Sequence, residues 1–202
     1  PTYIFHLAAL PLAKLDNLNS EEALEGSVTT TVAIIEYLGL LKKNKVYEPK
    51  KFIYASSSMV YGDFKKKVIE ENHQKKPKEI YGTMKLAGEV ITKGLCKFYG
   101  IKFNIVRPSA VYGPTDMNRR VSQIFIDKAL NGETLSIQGK DEYLDFTYVK
   151  DIARGFVLSA TSKISGEDFN ITHGKAHTLF EYVKILKKFI PNLKYKILPR
   201  DK

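Results

Sequence analysis

Tyr81 and Lys85 stand four residues apart in the stretch IYGTMK, residues 80–85, where a helical pattern begins. Positions i and i+4 of a helix lie one above the other, which sets the Lys85 ammonium beside the Tyr81 phenol. A neighbouring cation favours phenolate, so the pair has the makings of a base that works near neutral pH. The same spacing occurs at Tyr47/Lys51 and Tyr61/Lys65. Pro49 interrupts the first, and the second runs through the turn-like YGDF, so context selects Tyr81 and Lys85.

Three near-continuous apolar runs must position that pair: TYIFHLAA (2–9), KFIYASSS (51–58) and FNIVRPS (103–109). They read as strands buried on both faces of a parallel sheet. Amphipathic stretches from Val28 to Leu41 and from Gly82 to Tyr99 lie between them, the second carrying Leu86, Val90, Ile91, Leu95 and Phe98 toward one side. Alternation of strand and helix means an α/β fold. After VYGP (111–114) the pattern predicts a helix near Val121–Leu130 and a strand running into a helix at YLDFTYVKDIARGFVLSA, with Asp151 opening that helix. The tail adds a strand at DFNIT, a helix over 179–190 and a strand at KYKILP. Residues 1–115, with 146–160 returning to them, form the expected first domain; 116–145 and 161–202 form a small α+β lobe.

Composition narrows the function classes. The chain has 202 residues, 44% hydrophobic and 27% charged, which is globular rather than disordered. No uninterrupted apolar run reaches membrane-spanning length and no signal-like start is visible, so a cytoplasmic protein without a membrane partner is expected. Cys96 is the only cysteine, which removes internal disulfides and a cysteine-based metal site; His173 and His177 read as parts of a simple turn, and no metal is expected. The net charge of +10 would attract phosphates, but lysines are spread over nearly every segment without an aromatic-interleaved stripe, so nucleic acid is not the expected partner.

In open α/β sheets ligands bind beyond the carboxyl ends of the strands. Small residues follow each strand here: Ala8 and Ala9, then Ser56, Ser57 and Ser58, then Pro108, Ser109 and Ala110. They allow a flat ligand to approach closely, and Tyr81 should face the same rim. FHLAA, KFIYASSSMVYG, YGTMKLAGE, RPSAVYGP and LDFTYVKDIA then occur in the order and at about the spacing of the extended short-chain dehydrogenase/reductases. The chain thus resembles the NAD-dependent sugar epimerase/dehydratase family over most of its length.

That resemblance implies a partial Rossmann-type parallel sheet with a substrate lobe, NAD as cofactor with NADP open, and a nucleotide-sugar substrate. It implies that Tyr81 removes a sugar hydroxyl proton, that Lys85 lowers the Tyr81 pKa and holds the nicotinamide ribose, and that Ser57, four before Tyr61, is the hydroxyl that bonds the reacting oxygen. Ala8, Ala9, Ser56 and Pro108 join Tyr81 and Lys85 on the cofactor side, and Ser58, Ser109, Arg119 and Arg120 join Ser57 on the substrate side. In the related 4,6-dehydratases an Asp-Glu pair follows the catalytic hydroxyl, whereas this chain has Ser58 and Met59. A thioether cannot shuttle protons, which favours 4-epimerisation over elimination. A reductase or dehydratase of the same family is the alternative, and a dinucleotide-sensing or RNA-binding relative the alternative of another class.

Several positions depart from the family pattern. The glycine-rich βαβ unit that receives the cofactor pyrophosphate is not found, so the chain is expected to be an internal piece that binds NAD poorly by itself. Leu144 stands where many relatives carry an arginine, and Ala110 where they often carry Asn, which turns attention to Arg119 and Arg120 as phosphate contacts. The resemblance also implies a homodimer through the helix over 82–99.

Overall fold

The computed structural model describes residues 2–10, 20–63, 68–116 and 120–199. Arg119 and Lys65 lie outside them. The described chain forms two compact units: residues 1–109 with 151–171, and residues 110–150 with 172–202.

The first unit is built on a four-stranded parallel sheet in the order β1-β2-β3-β8, formed by β1 (Tyr3–His6), β2 (Lys51–Ala55), β3 (Phe103–Pro108) and β8 (Asp168–Ile171). All five residues of β2 are buried, as the central position between β1 and β3 requires. Phe52 and Tyr54 face one side, where Ile35 and Leu38 of the helix Ser20–Lys43 and Cys96 of the helix Ile80–Tyr99 complete a core. The alternate residue Lys51 faces the other side, where its buried ammonium donates to the carbonyls of Ser159 (2.9 Å), Ser162 (2.8 Å) and Ile164 (2.7 Å). Those carbonyls are at and just beyond the end of the helix Val149–Thr161, whose last turn leaves acceptors open, so Lys51 acts as its cap.

Two expectations are corrected here. DFNIT was assigned to the lobe, yet β8 extends the main sheet, with Ile105 opposite Asp168 and Pro108 opposite Ile171. Its residues are half-buried throughout, an edge-strand pattern that names no partner sheet. Asp151 is in the first turn of its helix rather than at its start, which is Val149. The helix Ser20–Lys43, with one π turn at Glu25–Thr29 in its first half, reaches membrane-spanning length and hydropathy by composition. Ile35 and Leu38 commit one face of it to the core.

The second unit contains three two-stranded pairings: β4 (Val111–Tyr112) with β7 (Thr147–Tyr148), β5 (Leu135–Gln138) with β10 (Tyr195–Leu198), and β6 (Tyr143–Leu144) antiparallel to β9 (His177–Thr178). Phe125, Ala129, Leu135, Ile137, Leu179, Val183 and Leu193 form its core. A capping box starts the helix Leu179–Phe189: the Thr178 hydroxyl accepts from the Glu181 amide (3.0 Å) while the Glu181 carboxylate accepts from the Thr178 amide (2.8 Å). His177 therefore belongs to a strand and precedes a cap, rather than lying in the simple turn expected of it.

Candidate active site

The chain leaves β2 through three serines with three different tasks. Ser56 is buried and its hydroxyl donates to Glu89 Oε1 at 2.5 Å. The proton of that hydroxyl is therefore committed inside the unit. Ser57 is extended, φ −157° and ψ 153°, and its Oγ accepts the Met59 amide at 3.2 Å, capping the 3-10 helix Ser58–Tyr61. With a lone pair held by that amide, the Ser57 O–H remains a donor. Ser58 is half-buried as the first residue of that turn.

Tyr81 is the second residue of the helix Ile80–Tyr99, and Lys85 lies one turn on, its Nζ 5.7 Å from the Tyr81 ring centroid. The Lys85 ammonium is buried, donates to the carbonyl of Ala55 at 2.8 Å and sits 5.5 Å from the Tyr54 ring centroid. Burial lowers its pKa to about 8, since a dry environment penalises the charged form. His6, the last residue of β1, is buried with Nε2 2.9 Å from the Thr31 hydroxyl. Burial, and secondarily the charge of Lys85, lowers its pKa to about 4, so it is neutral at pH 7.

A glycine lets the two segments meet. A Cβ at Gly82 would stand 2.6 Å from the Met59 carbonyl oxygen, a backbone atom that no rotamer change could move. Gly82 and the Lys85–Ala55 bond thus draw the start of the helix, with Tyr81 and Lys85, against residues on both flanks of Ser57.

The remaining expected residues are placed as follows. Ala8 is exposed and Ala9 half-buried beyond the end of β1, while Pro108 ends β3 and Ser109 follows it, both half-buried. Arg120 belongs to the second unit, where it precedes the helix Val121–Leu130, is exposed and donates to the Val111 carbonyl at 2.9 Å. Leu144 packs against the core of that unit. No group of three potential metal ligands occurs among the described residues.

Sequence reasoning missed Arg107 and Glu89. Arg107 is fully buried in β3, its Nε and Nη2 each 2.7 Å from the two carboxylate oxygens of Glu89, itself buried in the helix of Tyr81. Nη2 also pairs with Asp168, and Nη1 donates to the Tyr61 hydroxyl (2.8 Å) and the Glu71 carbonyl (3.2 Å). Burial pulls the Arg107 pKa down, but the hydrogen bonds and charge of Glu89 outweigh it and hold it above its usual value. The signal was available: an arginine inside an apolar strand run, and a glutamate four residues after Lys85 on the same helical face.

Residues 1–172 match the "NAD dependent epimerase/dehydratase family". A Methanocaldococcus jannaschii protein with a provisional name as a UDP-glucose 4-epimerase is 32% identical over 161 residues, covering 77% of this chain and 52% of its own. Among solved structures, a UDP-N-acetylglucosamine 4-epimerase from Methanobrevibacter ruminantium M1, in complex with UDP-N-acetylmuramic acid, superposes with TM-score 0.87 at 28% identity over 98% of this chain and 64% of its own. A UDP-glucuronic acid 4-epimerase from Bacillus cereus, in complex with UDP-glucuronic acid and NAD, gives TM-score 0.87 at 26% identity over 98% and 63%. The chain spans 52% to 59% of the length of the first three curated relatives it matches.

Proposed function

The chain belongs to the NAD dependent epimerase/dehydratase family, and from that premise we propose that it carries the catalytic centre of a nucleotide-sugar 4-epimerase working through a transient 4-keto sugar. The observation that carries this reading is the cluster of Ser57, Tyr81 and Lys85 with Met59 two residues beyond Ser57. Proton removal at one hydroxyl has its base in Tyr81, whereas elimination of water also needs an acid and base where a thioether stands.

The Tyr81 phenolate takes the proton of the sugar 4-hydroxyl, and the Lys85 ammonium stabilises that phenolate across the same helical face. The Ser57 O–H donates to the reacting oxygen, steadied by the Met59 amide on its other side. NAD, when bound, would supply the hydride acceptor and return the hydride to the opposite face of the sugar. One ammonium proton of Lys85 goes to Ala55, which leaves donors for the nicotinamide ribose, and the short side chains of Ala8, Ala9 and Pro108 at the ends of β1 and β3 are its proposed neighbours. Ser58 and Ser109 are the proposed substrate contacts of the first unit. Exposed Val90 and Phe98 of the helix Ile80–Tyr99, with Tyr37 and Leu40 of the helix Ser20–Lys43, support the proposed homodimer.

The test incubates the full-length protein carrying this chain with NAD in deuterated water and, separately, with UDP-glucose, UDP-N-acetylglucosamine and UDP-glucuronic acid. The expected result is the C4 epimer of at least one, without deuterium on the ring carbons, and loss of turnover in Tyr81→Phe by roughly 100-fold or more. A 6-deoxy-4-keto product, or full activity in Tyr81→Phe, overturns the reading.

A further inference from the structure

Glu89 and Arg107 belong to a cluster far more elaborate than a core requires. All five N–H donors of the Arg107 guanidinium are used: two on Glu89 and one each on Asp168, the Tyr61 hydroxyl and the Glu71 carbonyl. Lys93 meets Asp168 at 2.8 Å and brings a second cation to the carboxylates. A buried pair of this kind is weak evidence for stability, because apolar side chains of similar volume serve a core as well. What distinguishes it is direction: a guanidinium holds several partners at fixed angles in one plane.

Its partners surround the catalytic serine. Glu89 Oε1 accepts the Ser56 hydroxyl at 2.5 Å, one residue before Ser57. Tyr61, which ends the turn that Ser57 caps, accepts from Arg107 and donates to Asn170 Oδ1 at 2.8 Å. Asn170 in turn donates to the Ile69 carbonyl (3.0 Å) and, through its amide, to the Glu71 carboxylate (2.9 Å), holding the segment that leads on to Tyr81. Glu89 itself sits two turns beyond Tyr81 on the same helix.

We propose that Arg107 and Glu89 are positioning residues that clamp the serine turn, the segment before Tyr81 and the helix of Tyr81 to one point of the sheet, and thereby set the Ser57 hydroxyl opposite the Tyr81 phenol. This rests on the 4-epimerase reading for its catalytic consequence. A displacement of about 1 Å at reacting groups costs on the order of 100-fold in rate, so a clamp at both flanks of Ser57 acts on turnover rather than on binding.

The test uses Tyr61→Phe and Ser56→Ala in the full-length protein, since each removes one hydroxyl from the cluster and leaves the ion pair. Amide hydrogen exchange should quicken in residues 56–62 and 68–73 in Tyr61→Phe and in residues 56–62 in Ser56→Ala. kcat should fall about 10-fold in each, while KM and the Kd for NAD stay within about twofold. Lys51→Met, which removes a helix cap on the other face of the sheet, is the structural control and should lower Tm with kcat unchanged. Unaltered exchange, unaltered kcat, a raised Kd for NAD in Ser56→Ala, or losses of kcat that match Lys51→Met at equal loss of Tm would each sink the proposal. Tyr81→Phe separates the two readings: activity in it defeats the 4-epimerase assignment, whereas inactivity in it beside normal Tyr61→Phe and Ser56→Ala defeats the clamp alone.

Discussion

At Lys85 burial and function pull on the same proton. The ammonium sits beside the Tyr81 ring and under Ala55, and the dry setting lowers its pKa to about 8. Its charge, and with it the stabilisation of a Tyr81 phenolate, is therefore lost as pH rises through about 8 rather than through the usual lysine range. The expected kcat/KM profile of the full-length protein declines above about pH 8. Lys85→Met should lose most of the rate at every pH, and a wild-type profile flat to about pH 10 would contradict the assignment. Linkage runs the other way: a lysine with a lowered folded-state pKa costs stability while charged, so this contribution improves as pH rises from about 8 toward the ordinary lysine value of 10.5.

Among the elements, the helix Ile80–Tyr99 carries its own internal control. Gly82 is pressed against the Met59 carbonyl and Gly88 against the Tyr54 hydroxyl, whereas a Cβ at Gly94 meets nothing within 4 Å. Alanine at 82 or 88 must push the helix off the serine turn or off β2, with an expected loss of about 1–3 kcal/mol. Alanine at 94 should instead gain roughly 0.5–1 kcal/mol, because glycine is the poorer helix former in an open interior position. Urea unfolding of the three variants decides this: equal effects would show that helix propensity, and not the close approach at 82 and 88, governs these glycines. The glycine after Tyr81 was visible in IYGTMK, but its reason, a carbonyl twenty-three residues earlier in the chain, was not.

For the whole molecule, His6 couples acid stability to the end of the sheet. It is buried neutral against Thr31, Phe52 and Tyr54, with a pKa lowered to about 4 from the ordinary histidine value of 6.5. A histidine that must charge on unfolding contributes fully above its unfolded pKa, and the contribution drains away as pH falls from about 6.5 to about 4. The amount is on the order of 3 kcal/mol. Urea midpoints measured from pH 7 to pH 4 should fall along that window and flatten in His6→Gln; an unchanged slope in the variant would assign the loss to other groups. The net charge of +10 adds general self-repulsion to the same acid side.

What the amino-acid sequence determined by itself is local in origin. Side-chain periodicity marks the β2 and β3 strands and the helices over 80–99, 121–130 and 179–189, because burial of one face or both is written every 2 or 3.6 residues. The spacing of Tyr81 and Lys85, and Met59 two beyond Ser57, were legible for the same reason. Tertiary structure alone decided the rest. It took β8 into the main sheet, made Lys51 a helix cap rather than a partner of Tyr47, turned Ser56 inward to Glu89, and gave Arg107 five acceptors. Each of these joins residues 18 to 113 positions apart, or strands whose order no local pattern states. A half-buried strand, a serine or a charged side chain looks the same in sequence whatever it will meet, and only the folded chain supplies the partner that gives it a task.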